Sequence, residues 1–317
     1  MVDMTALQKD ISMEVSTILA SDFDINVTNT SYVPHSDDGA ITFSNLDDRT
    51  QGTKVIETAV LYVDMRRSTA LSMKHRTATV ARLYSAFVRG ITRCAGVYGG
   101  EVRGIIGDRV MMLFDSANCF ASAVDTAILI NSVCKHVINE HFAHNEVTFG
   151  IGIDYGTMLA TKTGIRRHGS AQQSYRSLVW LGRPANIASK LTDHANKPEE
   201  AIDLVKVRVA YNYFGTLTYV DEWPHEFVKH FNHNPLTGLM APDNKAFHSF
   251  TTNTQRTITK SGTPPILMTK RVFDGFRSAR PQDRSIQNNW FKSVKLEIPD
   301  YNDGVYGGDV VFTAFTS

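Results

Sequence analysis

Apolar positions along this chain change period several times, and each change marks an element. In residues 3–21, Leu7, Ile11, Val15, Ile18 and Leu19 recur at helical spacing and predict an amphipathic helix. Its stripe must be buried on this chain or on a second copy. Residues 22–53 are rich in Asp, Asn, Ser and Thr and read as a linker. A strand follows at about 55–64, ending Val60-Leu61-Tyr62-Val63-Asp64. Strand alternation puts Val60, Tyr62 and Asp64 on one face, and Leu61 and Val63 on the other. Val80, Leu83, Tyr84, Phe87, Val88 and Ile91 give residues 72–96 a helical face, stopped by Gly96 and Gly99-Gly100. Glu101 to Phe114 reads as two strands around a Gly107-Asp108 turn. A second long helix is predicted over 117–141. A strand at 147–155 is expected to turn at Gly156 into another at 157–163. A strand at 176–181 and a helix at about 184–195 follow. This order predicts an α+β sandwich with helices on one sheet face. Residues 215–290 are less periodic, and 297–315 reads as a closing hairpin with Gly304, Gly307 and Gly308 in its turn.

Composition narrows the class without naming a chemistry. The 317 residues are 42% apolar and 10% aromatic, which suits a globular chain with a sizeable core. A formal charge of +1 implies no broad attraction to nucleic acid or to a membrane surface. Cys94, Cys119 and Cys134 lack metal-binding spacing and read as reduced core residues. No secretory leader or bilayer-length apolar run is recognised, so a cytoplasmic protein is expected.

Candidate chemistry gathers where the first strand ends. A carboxylate at a strand end needs solvent, a partner or a metal. Arg66-Arg67-Ser68-Thr69 follows Asp64 as a polar turn, and Ser68 and Thr69 are able to cap the next helix. Free N–H groups there would favour an anion. Asp108, at a hairpin tip, is a second carboxylate that can be held with its oxygens free.

Taken in order, four segments resemble the class III nucleotidyl cyclases. Tyr62-Val63-Asp64-Met65-Arg66 resembles the first metal motif of that family. Gly99-Gly100-Glu101-Val102, with Ile106-Gly107-Asp108 and Met111-Met112-Leu113-Phe114, resembles the second. Gly150-Ile151-Gly152-Ile153 with Gly156 resembles the central hairpin. Leu181-Gly182 through Asn186-Ile187-Ala188-Ser189-Lys190-Leu191 resembles the transition-state helix. The resemblance covers about residues 55–195 and implies a ferredoxin-like βαββαβ sandwich working as a catalytic homodimer. It divides the chain into an N-terminal helix and linker (1–54) and a cyclase domain (55–317).

The resemblance also implies roles. Asp64 and Asp108, with the adjoining Met65, would form the metal site for two divalent cations, Mn²⁺ or Mg²⁺, which suit hard oxygen ligands. Met65, Arg66, Arg67, Ser68 and Thr69 would cradle the β- and γ-phosphates. Asn186 matches the asparagine that orients the ribose. Lys190 stands where most members carry arginine, a point charge in place of a planar fork; Arg183 or the loop Arg166-Arg167 is a candidate for compensating. Family sites form between two subunits, so a homodimer with two shared sites is implied.

Base choice is where the chain departs from the purine cyclases. Their two base-reading positions fall here on Gly104 and Val179, and neither supplies a hydrogen-bonding side chain. Tyr62 replaces the usual phenylalanine and shares a face with Asp64. A shorter pocket favours a smaller base. This agrees with a subset that the chain resembles, the bacterial pyrimidine cyclases of the Pycsar anti-phage defence system. UTP or CTP is then the expected substrate, and the cyclic product would activate an effector without stable binding between the two proteins. Competing readings are a purine cyclase with unusual base contacts, a catalytically silent cyclase-like dimer, and a diguanylate cyclase, against which Val102 and Arg103 count. His225, His230 and His233 read as part of a solvated insertion, and Trp180 as a packing residue.

Overall fold

A computed structural model describes residues 3–142, 147–164, 178–198, 200–233, 235, 237–260 and 262–316. They divide into two compact units: residues 1–197 with 263–317, and residues 198–262. The span 55–317, expected as one domain, is therefore interrupted by a second unit.

The first unit opens with α1 (Met4–Ile18), capped by the Asp3 carboxylate and carrying no buried residue. The segment expected as a linker contains a strand, β1 (Asp24–Thr30), paired in parallel with the start of β2 (Thr50–Met65). The helix predicted over 72–96 is two helices, α2 (Ser68–Lys74) and α3 (Thr77–Val97). The hairpin β3 (Gly100–Ile106) and β4 (Arg109–Phe114) follows, with Gly107 at φ 62° in its turn. Glycine adopts that left-handed conformation without the strain a side chain would bring. Next, α4 (Cys119–Val133) runs through a π-helical turn (Cys134–Ile138) into α5 (Asn139–His141).

The predicted turn at Gly156 does not exist. Strand β5 (Phe149–Thr161) passes straight through it, paired along β2 from Lys54 to Met65. Then come β6 (Val179–Leu181), on the end of β5, and α6 (Arg183–His194), with Pro184 in its first turn.

The second unit is a three-stranded antiparallel sheet of β7 (Glu200–Tyr213), β8 (Thr216–Glu222) and β11 (Phe247–Lys260), with β7 central. A short helix α7 (Pro224–Phe227) and the hairpin β9 (Phe231–His233) with β10 (Met240–Pro242) complete it. Val207, Val209, Tyr211 and Phe227 form its small core. His230 sits 3.1 Å from Glu222. Among the described residues no group of three or more His, Cys, Asp or Glu gathers as a metal centre.

The chain returns to the first unit through β12 (Ile266–Thr269), α8 (Lys270–Ala279), α9 (Arg284–Gln287), β13 (Lys292–Val294) and β14 (Val305–Gly308). Gly307 and Gly308, expected in a turn, lie inside β14, which pairs with both β12 and β13.

The main sheet runs β13-β14-β12-β5-β2-β4-β3. Its centre, β5-β2-β4-β3 with α3 and α4 as crossovers, is an antiparallel βαββαβ arrangement. One face buries Leu61, Val63, Val110, Met112, Ile151 and Ile153 against α3, α4 and α8. The other face holds Val60, Met111, Leu113 and Met158 against Ala188 of α6. Cys94, Cys119 and Cys134 are all free and buried.

Seating α6 flat on β5 requires a missing row of side chains. A Cβ on Gly150 would lie 2.8 Å from the Ala195 carbonyl. One on Gly156 would lie 3.0 Å from Pro184 Cγ, and one on Gly152 would strike the Ala188 carbonyl and Thr192. These glycines are spaced by two and by four, so they share one strand face. Ile187 and Leu191 of α6 are fully buried, each worth about 2 kcal/mol.

Candidate active site

Asp64 lies near the end of β2 on the α6 face, half-buried. Asp108 stands in the β3–β4 turn beside it. The Asp108 carboxyl is pushed up from its usual range, first by burial and also by the neighbouring Asp64, and the Ser68 hydroxyl bonded to it opposes the shift. A neighbouring carboxylate in a partly desolvated corner raises the cost of ionising Asp108. A divalent cation between them would remove that cost, and their oxygens are the hard donors that Mg²⁺ or Mn²⁺ takes. The residues present therefore fit such an ion, with substrate phosphate oxygens and water left to complete its shell.

Met65 points the other way. Its side chain is 3% exposed in the main core, so only its main-chain oxygen is available to a metal. The Arg66 guanidinium crosses Gly150 and donates from Nε to the Ala195 carbonyl at 2.8 Å, while its Nη2 is buried without a hydrogen bond. Its main-chain N–H bonds Thr148 O at 2.7 Å. The Arg66 side chain thus secures the end of α6 and is not part of an open cradle. Arg67 adopts φ 56°, and the first turn of α2, at Ser68 and Thr69, receives no side-chain cap. Those N–H groups are what remains of the predicted phosphate cradle.

Arg109 is the residue that sequence reasoning missed. Its Nη2 and Nε donate to the same Asp64 oxygen, Oδ2, at 2.6 and 3.2 Å. Nη1 reaches Ser189 Oγ at 2.8 Å, and Nη2 also pairs with Asp193. A signal was available: Ser189 and Asp193 lie three and seven residues after Asn186, on one stripe of α6. The partner on β4 was not legible from spacing.

Asn186 is exposed on α6. It lines, with Arg183, Ser189, Lys190 and Asp300, a depression of about 490 Å³. Lys190 Nζ donates to the Pro299 carbonyl at 2.9 Å and to Asp300 Oδ2 at 2.8 Å. Arg183 donates to the Asp300 carbonyl at 3.3 Å and lies over the Tyr301 ring. Arg166 and Arg167 lie outside the described residues.

The base-reading positions fall in two places. Tyr62 pairs across strands with Met111, and Met111 with Gly104, so the three form one row over β2, β4 and β3. The Tyr62 hydroxyl donates to Met111 Sδ at 2.9 Å. A Cβ on Gly104 would meet Met111 at an ordinary 3.6 Å. Val179 lies elsewhere, on β6 against Thr161. A register shift falls at Arg103, and its guanidinium is spent on Pro34 O and Glu101. Trp180 is half-buried and packs into two clusters of the α6 side.

No family model matches the chain. Among curated proteins, a uridylate cyclase of Burkholderia cepacia is 30% identical over 177 residues, 54% of this chain and 72% of that one. This chain belongs to the uridylate cyclase family, within the class III nucleotidyl cyclases. A second uridylate cyclase, from Rhodovulum sp., is 28% identical over 59% of this chain and 75% of its own. Of solved structures, the adenylyl cyclase CyaB from P. aeruginosa matches at TM-score 0.46 and 13% identity, over 80% of this chain and 94% of that one; that likeness is too distant to add to the assignment. As a member of this family the chain is a nucleotide cyclase enzyme with an α+β cyclase fold. Among the described residues no helix is long and apolar enough to cross a membrane.

Proposed function

We propose that this cyclase converts UTP to the 3′,5′-cyclic monophosphate and pyrophosphate. The observation that carries the base choice is the row Tyr62–Met111–Gly104. Where purine cyclases place a hydrogen-bonding reader there is a glycine, with Met111 packed against it and the Tyr62 hydroxyl tied to the Met111 sulfur. A site without polar readers does not select a purine, and a tyrosine in that row shortens the space for a base. The uridylate cyclases named above support UTP over CTP.

The ribose 3′-oxygen attacks the α-phosphorus, the bond to the β-phosphate bridging oxygen breaks, and pyrophosphate leaves with the hydroxyl proton released. Asp64 and Asp108, with the Met65 main-chain oxygen, would hold two divalent cations, Mn²⁺ or Mg²⁺. Bound there, such ions would lower the pKa of the attacking hydroxyl and stabilise charge on the phosphates. Main-chain N–H groups from Arg67 to Thr69 receive the triphosphate. Asn186 orients the ribose, and Lys190 faces the charge that develops at the α-phosphate. The sites are shared by two copies of the chain. The product acts as a second messenger in anti-phage defence by activating a separate effector.

Purified protein incubated with Mn²⁺ and each of the four nucleoside triphosphates, resolved by HPLC, tests this reading. Cyclic UMP is the expected main product. Cyclic CMP as main product would move the assignment to CTP, and preferential cyclisation of ATP or GTP would refute the pyrimidine reading.

A further inference from the structure

Arg109 is the most heavily used cation in the site, and the roles above leave it without a task. Two of its N–H groups converge on one oxygen of Asp64, whose side chain is 15% exposed. Those two donors fill the lone-pair directions through which Asp64 Oδ2 would meet a cation. The same guanidinium is held from the other side by Ser189 and Asp193 of α6. It therefore keeps two anchors when Asp64 is withdrawn.

We infer that Arg109 is the internal counter-cation of the metal-free site, a positioning residue that holds Asp64 until a divalent cation displaces it. The inference rests on the metal reading of Asp64 and Asp108 proposed above. Its physical content is competition. A guanidinium and a divalent cation seek the same carboxylate, so a cation that takes Oδ2 must first break a charge-assisted fork, and one that takes the other oxygen meets the Arg109 charge beside it. Metal affinity is lowered by that amount. In return, Asp64 and Asp108 do not face each other uncompensated in the empty protein. An arginine that only rivets α6 to the sheet would behave differently: its removal would loosen the site and weaken metal binding or leave it unchanged.

The test is Mn²⁺ binding to the full chain without nucleotide, read by calorimetry and by the electron paramagnetic resonance signal of free Mn²⁺. Arg109→Gln is expected to bind Mn²⁺ at least about ten-fold more tightly than the parent, the scale of losing a full charge about 3 Å from the ligand. Arg109→Lys keeps the charge and loses the fork, so a gain of a few-fold is expected. Unchanged or weaker binding in Arg109→Gln overturns the inference. If that variant fails to fold by circular dichroism, Arg109→Lys decides, and unchanged affinity there overturns it. Asp64→Ala separates the two readings. If Asp64→Ala abolishes Mn²⁺ binding while the Arg109 variants show no gain, the metal reading stands and the counter-cation fails. Binding that survives Asp64→Ala at parental affinity removes both.

Discussion

Gly152→Ala isolates the way this fold places α6, the helix that bears the proposed Asn186 and Lys190. Gly152 sits in the middle of β5, opposite Tyr62, and α6 lies directly on it. A Cβ there would stand 2.6 Å from Thr192 Oγ1 and would also strike the Ala188 carbonyl and the Thr192 N–H, where ordinary contact begins at 3.4 Å. Two of these neighbours are helix backbone and lie closer than the hydroxyl, so the helix itself must move, by more than the 0.8 Å that separates 2.6 from 3.4 Å. Overpacking of this kind costs about 1–3 kcal/mol, or several degrees in Tm for a chain of this size. Activity should suffer more. Asn186 and Lys190 ride on α6, and displacing positioned groups by about 1 Å costs on the order of 10²-fold in turnover. Differential scanning fluorimetry and HPLC turnover, both with Mn²⁺, measure the two effects. Circular dichroism at the assay temperature must show the variant folded. A kcat within two-fold of the parent would refute the argument that α6 is seated by the glycine row. Gly104→Ala is the control: its Cβ meets only Met111 at 3.6 Å, and stability should hardly change.

Three further outcomes follow from named contacts. Asp64→Ala should abolish turnover while shifting stability by about 1 kcal/mol, since Arg109 keeps Asp193 and Ser189; a folded variant that still cyclises nucleotide would displace Asp64 from the site. Tyr62→Phe loses a hydroxyl bonded to a thioether, a weak acceptor, so its Tm should fall by less than about 1 kcal/mol implies while the pyrimidine-to-purine product ratio drops; an unchanged ratio would remove Tyr62 from base choice. Burial pushes the Asp125 carboxyl up to about 6, against Arg280 at 3.8 Å. A pKa raised on folding favours the protonated state, so this group's contribution is complete below about pH 4 and is lost as pH rises through 6. The shift corresponds to about 3 kcal/mol at most, and Asp125→Asn should raise Tm at pH 7.5 but not at pH 4; parallel Tm–pH curves for the two proteins would contradict it.

The long helices and central strands are legible because their apolar residues keep a regular period. Leu83, Phe87 and Ile91 mark α3 at helical spacing, and Leu61 and Val63 mark the buried side of β2. Glycine misled where it served close approach instead of turning. Gly156, Gly307 and Gly308 have no left-handed φ; they lie in strands because a helix, a side chain or a neighbouring backbone comes near. Sequence offers no local sign that separates those uses. Strand β1 was hidden for another reason. Its residues Asp24–Thr30 are almost all exposed, and only main-chain pairing to β2 makes it a strand. In the site, Asp64 and Tyr62 share a face by simple alternation. Arg109 was invisible because its partners, Asp64 and Ser189 with Asp193, come from two distant elements.

Register is consistent with the proposed site made by two copies of the chain. Gly104 and Tyr62 share a row whose position on β5 is Gly152, whereas Val179 pairs with Thr161. The separation is 161 − 152 = 9 residues, or about 30 Å along a strand at roughly 3.3 Å per residue. One base spans a small fraction of that. In the two-copy site proposed above, a base that meets both positions takes Val179 from the other copy, together with the Asn186 and Lys190 of its α6. A mixed dimer makes the consequence measurable. Asp64→Ala and Asn186→Ala chains, co-expressed with different tags and purified through both, pair so that one site carries both lesions and the other neither. About half the parental turnover is expected from the mixed dimer and almost none from either homodimer. A mixed dimer as inactive as its parents would mean that Asp64 and Asn186 of one chain serve the same site, and the two-copy arrangement would be wrong.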